Sequence, residues 1–322
     1  MSTHQAVNAW VVSDGAAGNA RQALALARAL DLKPRVVNID VRAPWRWLAP
    51  RLTTGAHAGL HDHAGVPIEA PWPDIAIGCG RQAALLTRML RRWSKGACFT
   101  VQILDPRIVS DHFDVVVAPL HDHLAGNNVI ETIGSLNPVD DAWLADARPR
   151  FAAMTTWPTP RTAVLIGASH RAQTLDVAYF DALRGQLAAW FARDGGSFLV
   201  TTSWRTPAEL SRRLRGDFAR WPGMFWSSEG DGENPYAGLL AWADRIVVTP
   251  DSVNMLSEAC ATGKPVHTLT TQPLHGKLGE LHTTLRAGGY LQAMQPLPSQ
   301  KRAAALRETG GVAALVRARW KG

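Results

Sequence analysis

The 322-residue sequence has little of what several protein classes require. It holds three cysteines, Cys79, Cys98 and Cys260, scattered and odd in number. That set suits reduced thiols rather than a disulfide frame, and without a CxxC pair a structural zinc site has little support. No apolar run reaches the ~18–20 residues of a membrane span. The N-terminus, Met1-Ser2-Thr3-His4-Gln5, leads into an apolar run with no basic n-region, so no signal peptide is expected. These absences predict a cytoplasmic chain. Charged residues make up 19%, too few for a disordered chain, and 46% are hydrophobic, enough for two cores.

What is present is basic and rich in tryptophan. The formal charge is +7. Lys301, Arg302, Arg307, Arg317, Arg319 and Lys321 face one carboxylate, Glu308, near the C-terminus. Two further clusters are Arg42, Arg46 and Arg51, and Arg81, Arg88, Arg91, Arg92 and Lys95. Such clusters are either solvated helix faces or surfaces for anionic lipid or an anionic substrate. Nucleic acid is not an expected partner. Most of the thirteen tryptophans are expected in cores. The run Trp45-Arg46-Trp47-Leu48 suits either a packed amphipathic loop or a membrane interface, which would place the chain peripherally on the inner face of the cytoplasmic membrane.

Short apolar runs alternate with helical spacing twice along the chain. Val7–Val12, Arg35–Ile39, Asp74–Ile77, Cys98–Leu104 and Asp114–Ala118 read as strands, with helices over Ala17–Leu30 and Gln82–Trp93. The segment from Thr155 to Pro160 reads as a linker, because its prolines suit neither helix nor central strand. A second series follows, with strands at Thr162–Ile166, Phe198–Thr202, Met224–Ser227, Arg245–Thr249 and Pro265–Leu269. A basic, amphipathic helix is expected from about Ser299 to Trp320. This alternation predicts two doubly wound α/β domains, residues 1–154 and 161–298, facing a cleft, with the terminal helix 299–322 as a separate element. In such sheets ligands bind beyond the carboxyl ends of the strands, so the loops there carry the chemistry.

The strongest of these loops runs from Thr249 to Ala259. A strand ends, Pro250-Asp251-Ser252 opens a helix, and Asp251 or Ser252 is a suitable cap. The free N–H groups at that end favour an anion. Ser252 could donate to a phosphate, and Glu258, two turns in, could accept from a ribose. An ordinary capped helix would look the same. Thr201-Thr202-Ser203-Trp204-Arg205 offers hydroxyls and a cation, Gly167 a small turn, and Asn234 and Tyr236 a base or sugar contact or a simple cap. In the first half, Asp14-Gly15 and Gly80-Arg81-Gln82 follow strands. Asp14 could be a general base, as could His121 with Asp122. His61-Asp62-His63 and His121-Asp122-His123 could chelate a metal, but loop histidines are common and no metal site is assigned.

Asp251 to Glu258 with Gly263-Lys264-Pro265 resembles the donor segment of GT-B glycosyltransferases. With Gly78 to Gln82, Ile103 to Arg107, His121-Asp122, Thr201 to Ser203 and Asn234 to Tyr236, it resembles the bacterial members of the mitochondrial-fission "elongated mitochondria" (Elm-type) family, classed by likeness with those enzymes. The resemblance covers roughly residues 8–290. It implies a GT-B-like α/β fold of two Rossmann-like domains and a nucleotide-sugar donor, with no cofactor and no metal. The donor side would comprise Gly167, Ser203, Arg205, Asn234, Tyr236, Asp251, Ser252, Met255, Ser257 and Glu258. The acceptor side would comprise Gly15, Gly80, Arg81 and Gln82, with Asp14, His121 and Asp122 as catalytic candidates. The terminal helix would cross back to the first domain. Two departures stand out: the family pattern leads us to expect Arg at Trp204 and Gly at Ala168. The function implied is sugar transfer to an envelope or lipid-linked acceptor. A nucleotide-sugar epimerase on the same fold and a non-catalytic peripheral membrane or partner-binding protein are the alternatives.

Overall fold

The computed structural model describes residues 7–169, 174–296 and 304–321. The chain forms two compact units, residues 1–138 with 308–322, and residues 139–307.

The first unit is built on a seven-stranded sheet. Its elements are β1 (Ala9–Ser13), α1 (Ala17–Ala29), β2 (Arg35–Val41), α2 (Trp45–Leu48), α3 (Ala56–Gly59) and β3 (Leu60–Asp62). Then come β4 (Ile75–Cys79), α4 (Arg81–Trp93), β5 (Phe99–Ile103), β6 (Val115–Pro119) and β7 (Val129–Thr132). The order is β3-β2-β1-β4-β5-β6-β7, parallel except for the short β3, which runs against β2. The strands β1, β4 and β6 are buried along their whole length because both faces are covered. Val11, Ile77 and Val117 pack with Leu26 of α1 on one face, while Trp10, Val12 and Ala76 pack with Leu86 and Leu90 of α4 on the other.

The second unit holds α5 (Asp141–Arg150), β8 (Arg161–Ile166), α6 (Val177–Asp194), β9 (Ser197–Thr202), α7 (Ala208–Phe218) and β10 (Gly223–Trp226). It continues with α8 (Tyr236–Trp242), β11 (Arg245–Val248), α9 (Val253–Ala261), β12 (Val266–Thr268), α10 (Gly276–Ala287) and β13 (Gln292–Ala293). The parallel sheet runs β10-β9-β8-β11-β12-β13. Leu165 pairs with both Thr201 and Val248, which fixes β8 between β9 and β11. The Thr155–Pro160 segment is bonded into this unit: Ser197 Oγ donates to Pro158 O at 2.7 Å, and Arg161 Nη2 to Thr155 O at 3.1 Å.

The last helix, α11 (Thr309–Lys321), belongs to the first unit, where Val312, Ala313 and Val316 join the core. Residues 299–303 of the expected terminal helix lie outside the described residues. Residues 304–308 are not helical. The reason is local: the Glu308 carboxylate accepts N–H groups from Ile133 (2.7 Å) and Gly134 (2.9 Å), and this anchor sets where the helix begins. Arg307 pairs with Asp141 at 2.7 Å and Arg317 with Asp31 at 3.2 Å, so the terminal basic cluster is partly neutralised. Among the described residues no helix is long and apolar enough to cross a membrane.

One buried ion pair ties the second unit together. Arg245 is buried; its Nη1 reaches Asp194 Oδ2 at 2.8 Å, its Nε donates to Thr162 Oγ1 at 2.8 Å, and its guanidinium lies 4.6 Å from the Trp190 ring centre. Hydrogen bonds from Arg193, and then from Arg245, hold the Asp194 carboxyl at about 2, below its ordinary 3.8. The folded value is depressed, so this stabilisation is complete above 3.8 and is lost as pH falls toward 2. Asp194→Asn should therefore cost about 2–3 kcal/mol at neutral pH by uncovering Arg245. Urea unfolding at pH 7 and near pH 2 should show the gap from wild type shrinking; an equal gap at both would refute the pairing.

Candidate functional site

The second sheet reverses its direction of winding between β8 and β11, so the turns leaving these two strands lie side by side. Polar groups stitch them together. Thr249 Oγ1 accepts from Gly167 N–H (2.8 Å) and donates to Asp251 Oδ1 (2.6 Å). Asp251 Oδ2 accepts from Ala168 N–H at 3.1 Å. Thr206 Oγ1 closes the third side by donating to Gly167 O at 2.7 Å. Glycine is required at 167, because a Cβ there would lie 2.1 Å from Asp251 Oδ2. Asp251 is thus turned inward, with its side chain fully buried. Burial pushes its carboxyl upward, opposed by Thr249, Ala168 and the Arg205 charge. It holds the turn; Ser252, not Asp251, caps α9 by accepting from Met255 N–H at 3.4 Å.

The capped end of α9 leaves N–H groups and the positive end of the helix dipole beside the Gly167 turn. Arg205, exposed, has Nη2 3.9 Å from Asp251 Oδ2. Ser203 is fixed by its N–H to Ile166 O (2.8 Å), and its hydroxyl lies 3.1 Å from that of Thr206. Two turns along α9, Glu258 is buried and accepts from the Tyr236 hydroxyl at 2.5 Å. Tyr236 opens α8, where its N–H is taken by Asn234 Oδ1 at 3.0 Å. Lys264, just after α9, donates to Leu240 O and Ala241 O at the far end of α8, so the two helices are fixed in register. Ser257 turns into the helix and donates to Val253 O at 2.8 Å, while Met255 stays half-buried. The structure therefore gathers Gly167, Ser203, Arg205, Asp251 and Ser252 into one edge of the unit, and Asn234, Tyr236 and Glu258 into a second group joined to it by α9. At the two departures, Ala168 is buried and contributes its N–H, and Trp204 is 79% exposed.

In the first unit the switch lies between β1 and β4. Asp14, half-buried, accepts from Ala16 N–H (3.2 Å) and Asn19 Nδ2 (3.2 Å). Gly80, at φ +88, lies where a Cβ would be 2.5 Å from Asn19 Nδ2, so Gly15, Asp14, Asn19 and Gly80 form one polar turn. Cys79 beneath it is buried, which pushes its thiol far up, with the Asp14 charge adding to the effect. His121 is buried after β6, and Asp122 Oδ2 accepts from Asp105 N–H at 3.3 Å. The strands β1 and β6 are three places apart, about 14 Å at the usual spacing, so Asp14 and the His121-Asp122 pair are separate candidates. Gln82 is half-buried in the first turn of α4. Arg81 differs from the expected acceptor contact: its guanidinium donates to Arg46 O, Trp47 O and Ala49 O, because the α2 turn needs donors for these carbonyls.

Sequence reasoning gave no site role to Thr249, Thr206, Asn19 or His282. A hydroxyl ending an otherwise apolar strand was the available signal for Thr249. His282, on α10, is buried with Nε2 2.9 Å from Pro250 O and no partner at Nδ1; its spacing with Leu278, Leu281 and Leu285, which line the buried face of the helix, was the available signal.

The two switch-point sheets define the class: the fold is GT-B, shared by glycosyltransferases and nucleotide-sugar epimerases. It resembles UDP-GlcNAc 2-epimerase of Methanocaldococcus jannaschii at a TM-score of 0.58, with 12% identity over 98% of this chain and 99% of that one. MurG of Acinetobacter baumannii gives 0.53, with 13% identity over 97% and 99%. Os79 of Oryza sativa in complex with UDP gives 0.54, with 14% identity over 96% and 90%. The chain itself belongs to the Mitochondrial fission ELM1 family, whose model matches residues 17–320. The Mitochondrial fission protein ELM1 of Arabidopsis thaliana is 32% identical over 73% of this chain, a match that spans 60% of the plant protein.

Two outcomes test the turn. Gly167→Ala should destabilise by about 1–3 kcal/mol through its clash with Asp251. Adding Asp251→Ala should recover at least about 1 kcal/mol of the summed losses in a thermal double-mutant cycle; strict additivity would show that the two residues do not meet. For His282, burial is the main cause that holds its protonation below the ordinary 6.5. The unfolded chain then binds the extra proton, so stability falls as pH drops from above 6.5 toward the folded value. In His282→Gln, which still donates to Pro250 O, the decline between pH 7 and 5 should be shallower.

Proposed function

We propose that the protein is a glycosyltransferase whose second unit binds a nucleotide-sugar donor. The observation that carries this reading is the buried Glu258 carboxylate, held by Tyr236 two turns from an open, Ser252-capped helix end. A carboxylate costs several kcal/mol to bury, on the order of what a structural role alone rarely requires. Its two oxygens suit the paired hydroxyls of a ribose. The diphosphate takes the N–H groups at the start of α9, beside the Gly167 turn, with Arg205 as the cation that offsets the charge growing on the leaving group. Asp251 acts as a positioning residue for that cradle. On the acceptor side, Asp14, or His121 with Asp122, removes the proton from the attacking hydroxyl. The acceptor belongs to the class of envelope or lipid-linked alcohols. This arrangement assigns phosphate stabilisation to the chain's own dipoles and cations, and the reaction needs no cofactor beyond the nucleotide sugar.

The test is thermal shift and calorimetry with a panel of nucleoside diphosphates. At least one should stabilise the protein. Glu258→Gln keeps the bond to Tyr236 and should weaken that ligand by about tenfold or more, the worth of a charged hydrogen bond. No stabilisation by any nucleotide at millimolar concentration would sink the reading; unchanged affinity in Glu258→Gln would remove Glu258 from the site. Incubation with the nucleotide sugar in deuterated water, without acceptor, separates transfer from epimerisation, since only the latter places deuterium in the sugar.

A further inference from the structure

Between β2 and β3 the chain makes a turn whose two tryptophans point in opposite directions. Trp45 is turned inward: its Nε1–H donates to Thr54 O at 2.8 Å, and its ring packs so close to Gly59 that a Cβ there would lie 2.2 Å away. Trp47 and Leu48 point outward, 74% and 50% exposed. The turn is nonetheless held firmly. Besides the three bonds from Arg81, Arg88 Nη1 donates to Pro50 O (3.0 Å) and Arg51 O (3.3 Å). Two guanidinium groups of α4 are therefore spent on presenting an apolar tip to the outside. A turn held only for stability would bury such side chains, since each exposed one forfeits about 1.5–3 kcal/mol of burial.

The same side of α4 leads into an open groove lined by Thr53, Arg88, Arg91, Arg92, Lys95 and His112. Arg91 is paired with Asp114 at 3.0 Å. Among the described residues no carboxylate pairs with Arg92 or Lys95, nor with Arg42, Arg46 and Arg51 around the tip. Arg81 and Arg92 lie about 16 Å apart along the helix, so tip and groove can meet one flat surface together. The cations crowd one another: the Arg88 guanidinium is lowered by burial and then by Arg92. An anionic counterpart is what this surface lacks.

We propose that this face docks the first unit onto an anionic phospholipid bilayer, with Trp47 and Leu48 entering the headgroup boundary and the groove cations meeting lipid phosphates. Two apolar side chains ringed by unpaired arginines are too little apolar area for a stable protein–protein contact, whereas tryptophan beside cations is the composition of a bilayer interface. The inference is independent of sugar transfer and of the donor site, which lies in the other unit.

The test is flotation of the full chain with vesicles of phosphatidylcholine alone and of equimolar phosphatidylcholine and phosphatidylglycerol, at about 0.1 M salt. The wild type should float with the anionic vesicles only. Arg92→Glu with Lys95→Glu should lower partitioning by about tenfold or more, at roughly fivefold per cation. Trp47→Ser with Leu48→Ser should lower it as well, while Trp204→Ser, an exposed tryptophan of the other unit, should not. All changed residues are exposed, and an unchanged urea midpoint checks that each variant folds. Failure to float, equal binding to neutral vesicles, variants that bind like wild type, or an equal loss in Trp204→Ser would each overturn the proposal. So would a dimer in solution that Trp47→Ser with Leu48→Ser dissolves, since the tip would then be a contact between copies.

Discussion

The candidate site depends on a buried carboxylate, that of Asp251, which ties together the turns leaving β8 and β11. Without it, Ala168 N–H and the Thr249 hydroxyl would lose their acceptor within a buried turn, and the backbone at Gly167 would have no reason to come so close. The tie works because the two strands are neighbours in the sheet, although β11 follows β8 by some eighty residues of chain. Residues that a ligand would touch, such as Ser252 and Arg205, are placed by residues that it would not touch. Precision at such sites comes from the supporting shell, because an exposed side chain retains rotamer freedom unless its backbone is fixed.

The same division of labour recurs elsewhere. Lys264 caps α8 and thereby holds Tyr236 against Glu258. Arg81 and Arg88 give their donors to main-chain carbonyls and so hold Trp47 in the open. Glu308 fixes the start of α11 on the first unit. In each case a charged side chain meets backbone polar groups rather than another charge. Such groups have no alternative partner once they are buried, and a lost bond there costs the desolvation of both.

Much of this was legible in the residues. The strand runs Val164–Ile166 and Ile246–Val248 are apolar without alternation, which marks a sheet covered on both faces, and the helix after Pro250-Asp251-Ser252 could be placed by its cap. What escaped was any contact between residues far apart in sequence. Asp251 and Ser252 are equally good caps by type, and only the neighbouring Gly167 turn decides that Asp251 faces inward. Trp45 and Trp47 are alike in the sequence, and only the Gly59 surface separates the one that packs from the one that does not. Arg81 follows a glycine turn, as a phosphate-binding residue would, but the unsatisfied carbonyls of the α2 turn claim it.

The sequence by itself determined the alternation of strand and helix, the class of fold that follows from it and the family resemblance, because apolar periodicity, turn residues and motifs are properties of local chain. Tertiary structure alone decided which of the polar residues at the strand ends point outward. That choice is made by hydrogen-bond partners supplied from other strands, and strand order in a parallel sheet is set by packing across the whole unit rather than by neighbours along the chain.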